Sequence, residues 1–193
     1  MDKYTLLKAL TSAGVAASLV IGPDAVNKES AENTAEASET ETQDYDYSYE
    51  GDTGYGDGIF ILDSDFKKTL ETDGNLNFNG YNIEASEADY VESIKEGDFV
   101  EVKEVYDQEI TVHNNSNNST KVDFPIQSGE LPIEDVIDVY GEDYEVHPGH
   151  DGTYETYVYL LGDGKDDSEK NEMALKVEDG HVTQGIIGYN SSY

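Results

Sequence analysis

The chain has 193 residues, 43 acidic against 11 basic, and a net charge of −32. That length allows one domain of moderate size, and that charge disfavours any polyanion, so no nucleic acid is expected as a partner. Without cysteine, disulfides, thiol catalysis and thiolate metal sites are excluded as well.

Lys3 and Lys8 precede or flank a weakly apolar run, residues 9–22, that includes Val15, Leu19, Val20 and Ile21. Basic, then apolar, then small and polar is the order of a secretory signal peptide. We therefore read residues 1–25 as a leader ending at Ala25 and the product as secreted. The run is too short for an ordinary membrane span, so no stable span is expected in the mature chain. Loss of residues 1–25 would remove Asp2, Asp24, Lys3 and Lys8 and leave the net charge at −32. Residues 26–58 follow as an acidic linker: carboxylates recur from Glu29 to Asp57 with no basic residue after Lys28. Such a stretch repels itself and offers little core, so disorder is expected. The alternation of Tyr45, Tyr47 and Tyr49 is compatible with one strand, but Gly51, Gly54, Gly56 and Gly58 favour a spacer.

Ordered patterning begins at Ile59, giving an α+β domain over 59–193. Residues 59–62 (IFIL) read as a short strand, and Phe66 and Leu70 share a helical face. Residues 76–84 read as a strand interrupted near Gly80. Ser86 and Asp89 approximate a capping box for a helix closed by Gly97. Residues 98–106 and 109–113 alternate as hairpin partners, and HNNSNNST reads as an exposed polar link carrying glycosylation sequons. In residues 131–141, Ile133, Val136, Ile137 and Tyr140 are spaced 0, 3, 4 and 7, with Pro132 at the start and Gly141 at the end, which predicts a helix. Strands are then expected in DYEVH, TYETYVYLLG, EMALKVE and HVTQGIIGY, with Asp179-Gly180 as a hairpin turn. The whole predicts an antiparallel sheet with one or two packed helices, preceded by the disordered acidic tail. A helix followed by strands occurs twice, which suggests two degenerate halves, 59–123 and 124–193.

Tyr140-Gly141, the strand tyrosines Tyr157 and Tyr159, and Asp179-Gly180 followed by Val182 resemble the pattern of small secreted domains. These are the domains related to the outer-membrane-assembly lipoproteins and to the beta-lactamase inhibitory protein. The likeness covers residues 131–189. It implies a non-enzymatic binding or structural role, since members act through protein contacts. The lipoprotein members' lipidated cysteine is absent here.

No catalytic motif for a nucleophile, phosphate or dinucleotide is present. Three tyrosines, Tyr154, Tyr157 and Tyr159, form a candidate binding face, although strand alternation equally places one side in a core. HPGHDG, residues 147–152, offers His147, His150 and Asp151 to a transition metal, against the reading of Pro, Gly and Asp as a turn. Asp63-Ser64-Asp65 and residues 162–172 offer hard oxygens to calcium as a candidate cofactor, although Lys165 and Ser168 break the EF-hand pattern. The sequence thus favours a secreted non-enzymatic module for an extracellular protein or cationic peptide. The competing reading is a cation-binding protein or hydrolase with a carboxylate and histidine cleft.

Overall fold

In the alternating segment Tyr47–Tyr49, every second side chain is an aromatic ring, and in the computed structural model these rings face inward as a strand, β1. The structure describes residues 45–53, 58–72, 74–95, 100–113, 117–150 and 152–189. The leader expected over 1–25 lies outside them, as does the larger part of the acidic linker. The described fold nevertheless begins before Ile59. β1 pairs in parallel with β2, Leu76–Phe78, and Tyr47 and Tyr49 meet Phe66, Phe60 and Phe78 at ring-centroid distances of 5.1, 4.8 and 5.6 Å. The spacer reading fails for these residues because burying two aromatic rings offsets the cost of ordering a short acidic strand.

Between the two strands, Gly58 takes a left-handed φ of 65° and Ile59–Leu62 closes into a single 3₁₀ turn. The IFIL strand expectation is corrected here: Ile61 enters the core while Ile59 stays in solvent. Helix α1, Ser64–Glu71, follows, with the Asp63 carboxylate accepting the Asp65 amide at 2.8 Å and Phe66, Thr69 and Leu70 buried. The interrupted strand near Gly80 is a hairpin between β2 and β3, Tyr81–Ile83. Asn79 and Gly80 both have positive φ, 51° and 86°, the conformation that makes Asn-Gly a tight-hairpin signal. Helix α2, Glu87–Lys95, begins on the expected box: the Asp89 amide donates to Ser86 Oγ at 3.2 Å and the Ser86 amide to Asp89 Oδ2 at 3.3 Å.

Strands β4, Val100–Val105, and β5, Gln108–His113, form the expected hairpin. β6, Asn118–Pro125, was not expected, yet it joins the sheet together. It pairs antiparallel with β5 along one edge. Its Asn118 and Ser119 pair in parallel with β3, and its later residues pair antiparallel with the last strand. Ser119 and Thr120, at the end of the supposed polar link, are buried.

Helix α3, Ile133–Tyr140, buries Ile133 and Val136 and ends with the Gly141 amide donating to the Ile137 carbonyl at 2.8 Å. β7, Glu145–Pro148, β8, Glu155–Leu161, β9, Asn171–Glu178, and β10, His181–Ile187, match the four expected strands. Asp179 and Gly180 turn with positive φ between the last two. The ten strands make one sheet, in which β4-β5-β6-β10-β9-β8-β7 is antiparallel throughout. The β1–β2 and β3–β6 pairings add a parallel element to the expected antiparallel arrangement, and the described helices number three α-helices rather than one or two. β6 crosses the boundary drawn at residues 123 and 124, so residues on either side of it share one sheet.

One face of this sheet carries the core. Ile110, Val112, Val122, Phe124, Met173, Leu175, Val182 and Ile187 join Phe66, Leu70, Ile133 and Val136 of the helices in a single buried cluster. Gly185 lies opposite Phe124 in the ladder, and a Cβ there would come within 2.4 Å of the Phe124 ring. The glycine therefore makes room for an aromatic ring in the centre of the core.

Candidate functional site

The three tyrosines proposed as a binding face divide: Tyr154 and Tyr157 line one open cleft of about 260 Å³ beside Asp179 and Gly180, and Tyr159 is not in its wall. Tyr157 and Tyr159 share the core side of β8. Tyr159 is buried against Tyr140 and Tyr144, with centroids 5.5 Å away in both cases, and its hydroxyl donates to the Gly141 carbonyl at 3.3 Å. Tyr157 is half-buried beside Tyr144 at 5.1 Å. Tyr154 packs instead with Lys176, whose ammonium sits 4.4 Å from its ring centre. Lys176 pairs with Thr156, the opposite parity of β8. The trio is thus not a single face, and Tyr159 serves the core.

HPGHDG connects β7 to β8. His147 and Pro148 pair with Thr156 and Glu155, the Gly149 amide donates to the Tyr154 carbonyl at 2.9 Å and the Gly152 amide to Gly149 at 3.0 Å. His147 Nε2 lies 3.4 Å from Glu145 Oε2 on the same strand, His150 is exposed, and Asp151 lies outside the described residues. Among the described residues no group of three or more histidines and carboxylates is placed to hold a metal ion. In the two acidic loops considered for calcium, Asp63 caps α1 by accepting the Asp65 amide, Asp166 accepts the Ser168 amide at 3.1 Å, and Glu169 accepts the Lys165 amide at 2.9 Å. Asp167 meets the Lys170 ammonium at 2.8 Å.

The face of the sheet away from the core carries a different feature. Across β5, β6, β10 and β9, the outward positions converge on an open hollow of about 420 Å³ lined by Asp107, Glu109, Asp123, Glu178, Lys176 and Gln184. Its floor is set by pairing: Glu109 stands opposite Asp123, and Gln184 opposite Lys176. Gln184 Nε2 donates to Asp123 Oδ1 at 2.7 Å, and Lys176 Nζ meets Glu178 Oε1 at 2.8 Å. Asp107 is fixed by the Thr53 amide at 2.8 Å. Four carboxylates therefore face one ammonium, and Glu109 is exposed. Neighbouring like charges on a sheet repel, so the hollow concentrates negative potential on this face of the sheet.

A second cleft, about 510 Å³, lies between β2, β3, the start of β6 and the N-terminus of α2, with Asn82, Asn118, Glu84, Ser86 and Asp89 in its wall. Asn118 donates to Glu84 at 3.0 Å and Ser86 Oγ to Asp89 at 2.6 Å. Burial, then the carboxylates of Asp89 and Glu92, raise the Glu84 pKa. The aromatic side of α3 borders a third cleft, about 450 Å³, with Glu71, Tyr140, Asp143 and Tyr159. No histidine lines any of these three clefts.

Sequence reasoning did not find the acidic hollow, because its residues come from four strands and a turn, and alternation within any one strand identifies them only as outward-facing. The geometry defines a mixed α+β domain, and its described residues bring no thiol or metal-ligating centre together. Residues 45–187, well over half of the chain, match the family model described as immunodominant staphylococcal antigen B, and the chain belongs to that family. The matched segment starts with β1 and ends with β10, so the family unit and the described fold coincide. The matched family is not one of those whose pattern is expected over residues 131–189. No curated protein and no solved structure matches the chain.

Proposed function

We propose that this protein is an exported, non-enzymatic binding module whose partner is a cationic extracellular protein or peptide. The observation that carries the proposal is the acid-lined hollow on the outer face of the sheet, set in a chain of net charge −32. Membership of a family named for an immunodominant antigen supports export, as does the leader-like order of residues 1–25. The likeness of residues 131–189 to secreted domains that act by protein contacts supports a binding role. Attraction over the whole surface would speed encounter, and the hollow would fix where the partner settles.

A lysine-rich peptide is the simplest probe, with binding measured by calorimetry on the full chain. The triple substitution Glu109→Gln, Asp123→Asn, Glu178→Gln is expected to weaken binding by about tenfold, or ~1.4 kcal/mol. The same number of charges removed from the exposed face of α3, by Glu134→Gln, Asp135→Asn, Asp138→Asn, is expected to change it about twofold at most. Equal losses from the two triples would mean that bulk charge alone attracts the peptide, and the hollow would lose its role.

A further inference from the structure

Among the described residues, the outer edge of β4 is a further surface left unpaired. In the hairpin with β5, Val105 pairs with Gln108, Lys103 with Ile110 and Glu101 with Val112. A two-residue turn is closed by a pair that exchanges both backbone hydrogen bonds, and such pairs alternate along antiparallel strands. Glu101, Lys103 and Val105 therefore direct their backbone groups at β5. Val100, Val102 and Glu104 direct theirs away from it, and among the described residues no strand pairs on that side.

Natural sheets block such edges with proline, brevity or bulges. The end strand β7 finishes on Pro148, and β1 has three residues. β4 has six residues, no proline and an unshifted register, and its Val100 and Val102 side chains are 44% and 56% exposed. Its single lysine leans inward, with the Lys103 ammonium 5.6 Å from the Tyr81 ring centre. Among the described residues this edge is unpaired, and its charge sequence says what fits it.

We infer that β4 pairs antiparallel with β4 of a second copy of this chain, in the register centred on Val102. Only registers that set outward-facing residues against outward-facing residues complete the ladder, and of the two-fold axes that do so, at residues 100 to 104, only those at Glu101, Val102 and Lys103 join more than one outward pair. An axis at Glu101 sets two glutamates opposite one another, and an axis at Lys103 sets two lysines opposite one another, both unfavourable. An axis at Val102 sets Glu101 opposite the second copy's lysine and Lys103 opposite its glutamate, and it sets Val102 against Val102. It also uses all three outward residues, giving about six backbone hydrogen bonds by the pairing rule. The axis stands normal to the sheet, so the two acidic hollows would open on the same side of one continuous sheet. The pairing itself does not depend on what the hollows bind.

Two chains of −32 repel one another, and screening shortens that repulsion to about 8 Å at physiological ionic strength and about 3 Å at 1 M. The dimer should therefore strengthen with salt. Sedimentation equilibrium of the full chain is the test, run in sodium chloride at about 0.15 M and about 1 M. A monomer–dimer equilibrium is expected, tighter at the higher salt. At fixed salt, Glu101→Lys alone and Lys103→Glu alone should each weaken it by about tenfold, and the two together should restore it to within about twofold. Val102→Lys, at an exposed position, should abolish the dimer, and circular dichroism of each variant checks that the hairpin stays folded. A monomer at every concentration, or a dimer indifferent to all four changes, would overturn the inference. So would a double swap that behaves no better than its singles.

Discussion

Tyr140 sits at the last turn of α3, where its hydroxyl donates to the Ile61 carbonyl at 2.7 Å and its ring meets Tyr159. Burial, with the nearby Glu71 carboxylate as the second cause, raises its pKa above the ordinary tyrosine value. Burial does the same to Tyr47 and Tyr159. A folded-state pKa above the unfolded one means that the folded chain holds its proton longer. Stability is then intact below about pH 10, where an unfolded tyrosine titrates, and falls as pH rises beyond it. Alkaline unfolding is expected to begin near pH 10, with tyrosinate absorbance and loss of circular dichroism rising together. Tyr140→Phe removes one of these groups and one hydrogen bond. It should cost about 0.5–1.5 kcal/mol in urea unfolding at neutral pH and make the alkaline decline shallower. A decline as steep as in the parent chain would show that Tyr140 does not contribute to it.

At the scale of elements, legibility followed how local the physics is. α3 was readable because four apolar positions share one helical stripe between Pro132 and Gly141, and β7 to β10 because alternation and Asp179-Gly180 are local signals. β6 was missed although it is central: it starts in an asparagine run, ends at Pro125, and shows only Val122 and Phe124 as large inward residues, alternating with Lys121 and Asp123. Its identity as a strand comes from three neighbours, two of which, β3 and β10, are distant in sequence. β1 was missed for a related reason, since its aromatic partners lie in residues 60–78. This yields a test by truncation. A chain beginning at Thr40 retains β1, whereas one beginning at Ile59 uncovers Phe60, Phe66 and Phe78. Two half-buried tyrosines contribute on the order of 2 kcal/mol or more together, so the shorter chain should melt several degrees lower. Equal melting temperatures would restore the spacer reading for residues 45–58.

At the scale of the whole molecule, neither the acidic hollow nor the open β4 edge was legible, because each is defined by what the sheet's topology leaves uncovered. What composition did establish is the charge, and the fold gives it an energetic consequence. With 11 basic residues against 43 acidic, few carboxylates can be paired, and among the described residues Lys67 meets Glu71, Lys170 meets Asp167 and Lys176 meets Glu178. Most carboxylates therefore face one another across solvent, and compaction brings them closer than in the unfolded chain, which destabilises the fold. Screening shortens from about 30 Å at 0.01 M to about 3 Å at 1 M. The thermal midpoint should accordingly rise continuously with sodium chloride over that range. Calcium chloride discriminates screening from a built ion site. If the loops at Asp63 and at residues 162–172 use their carboxylates only as caps, calcium should raise the midpoint gradually, with no saturable step at micromolar concentration. A step there, lost on Asp166→Asn but not on Asp138→Asn, would instead locate a bound ion in the loop before β9.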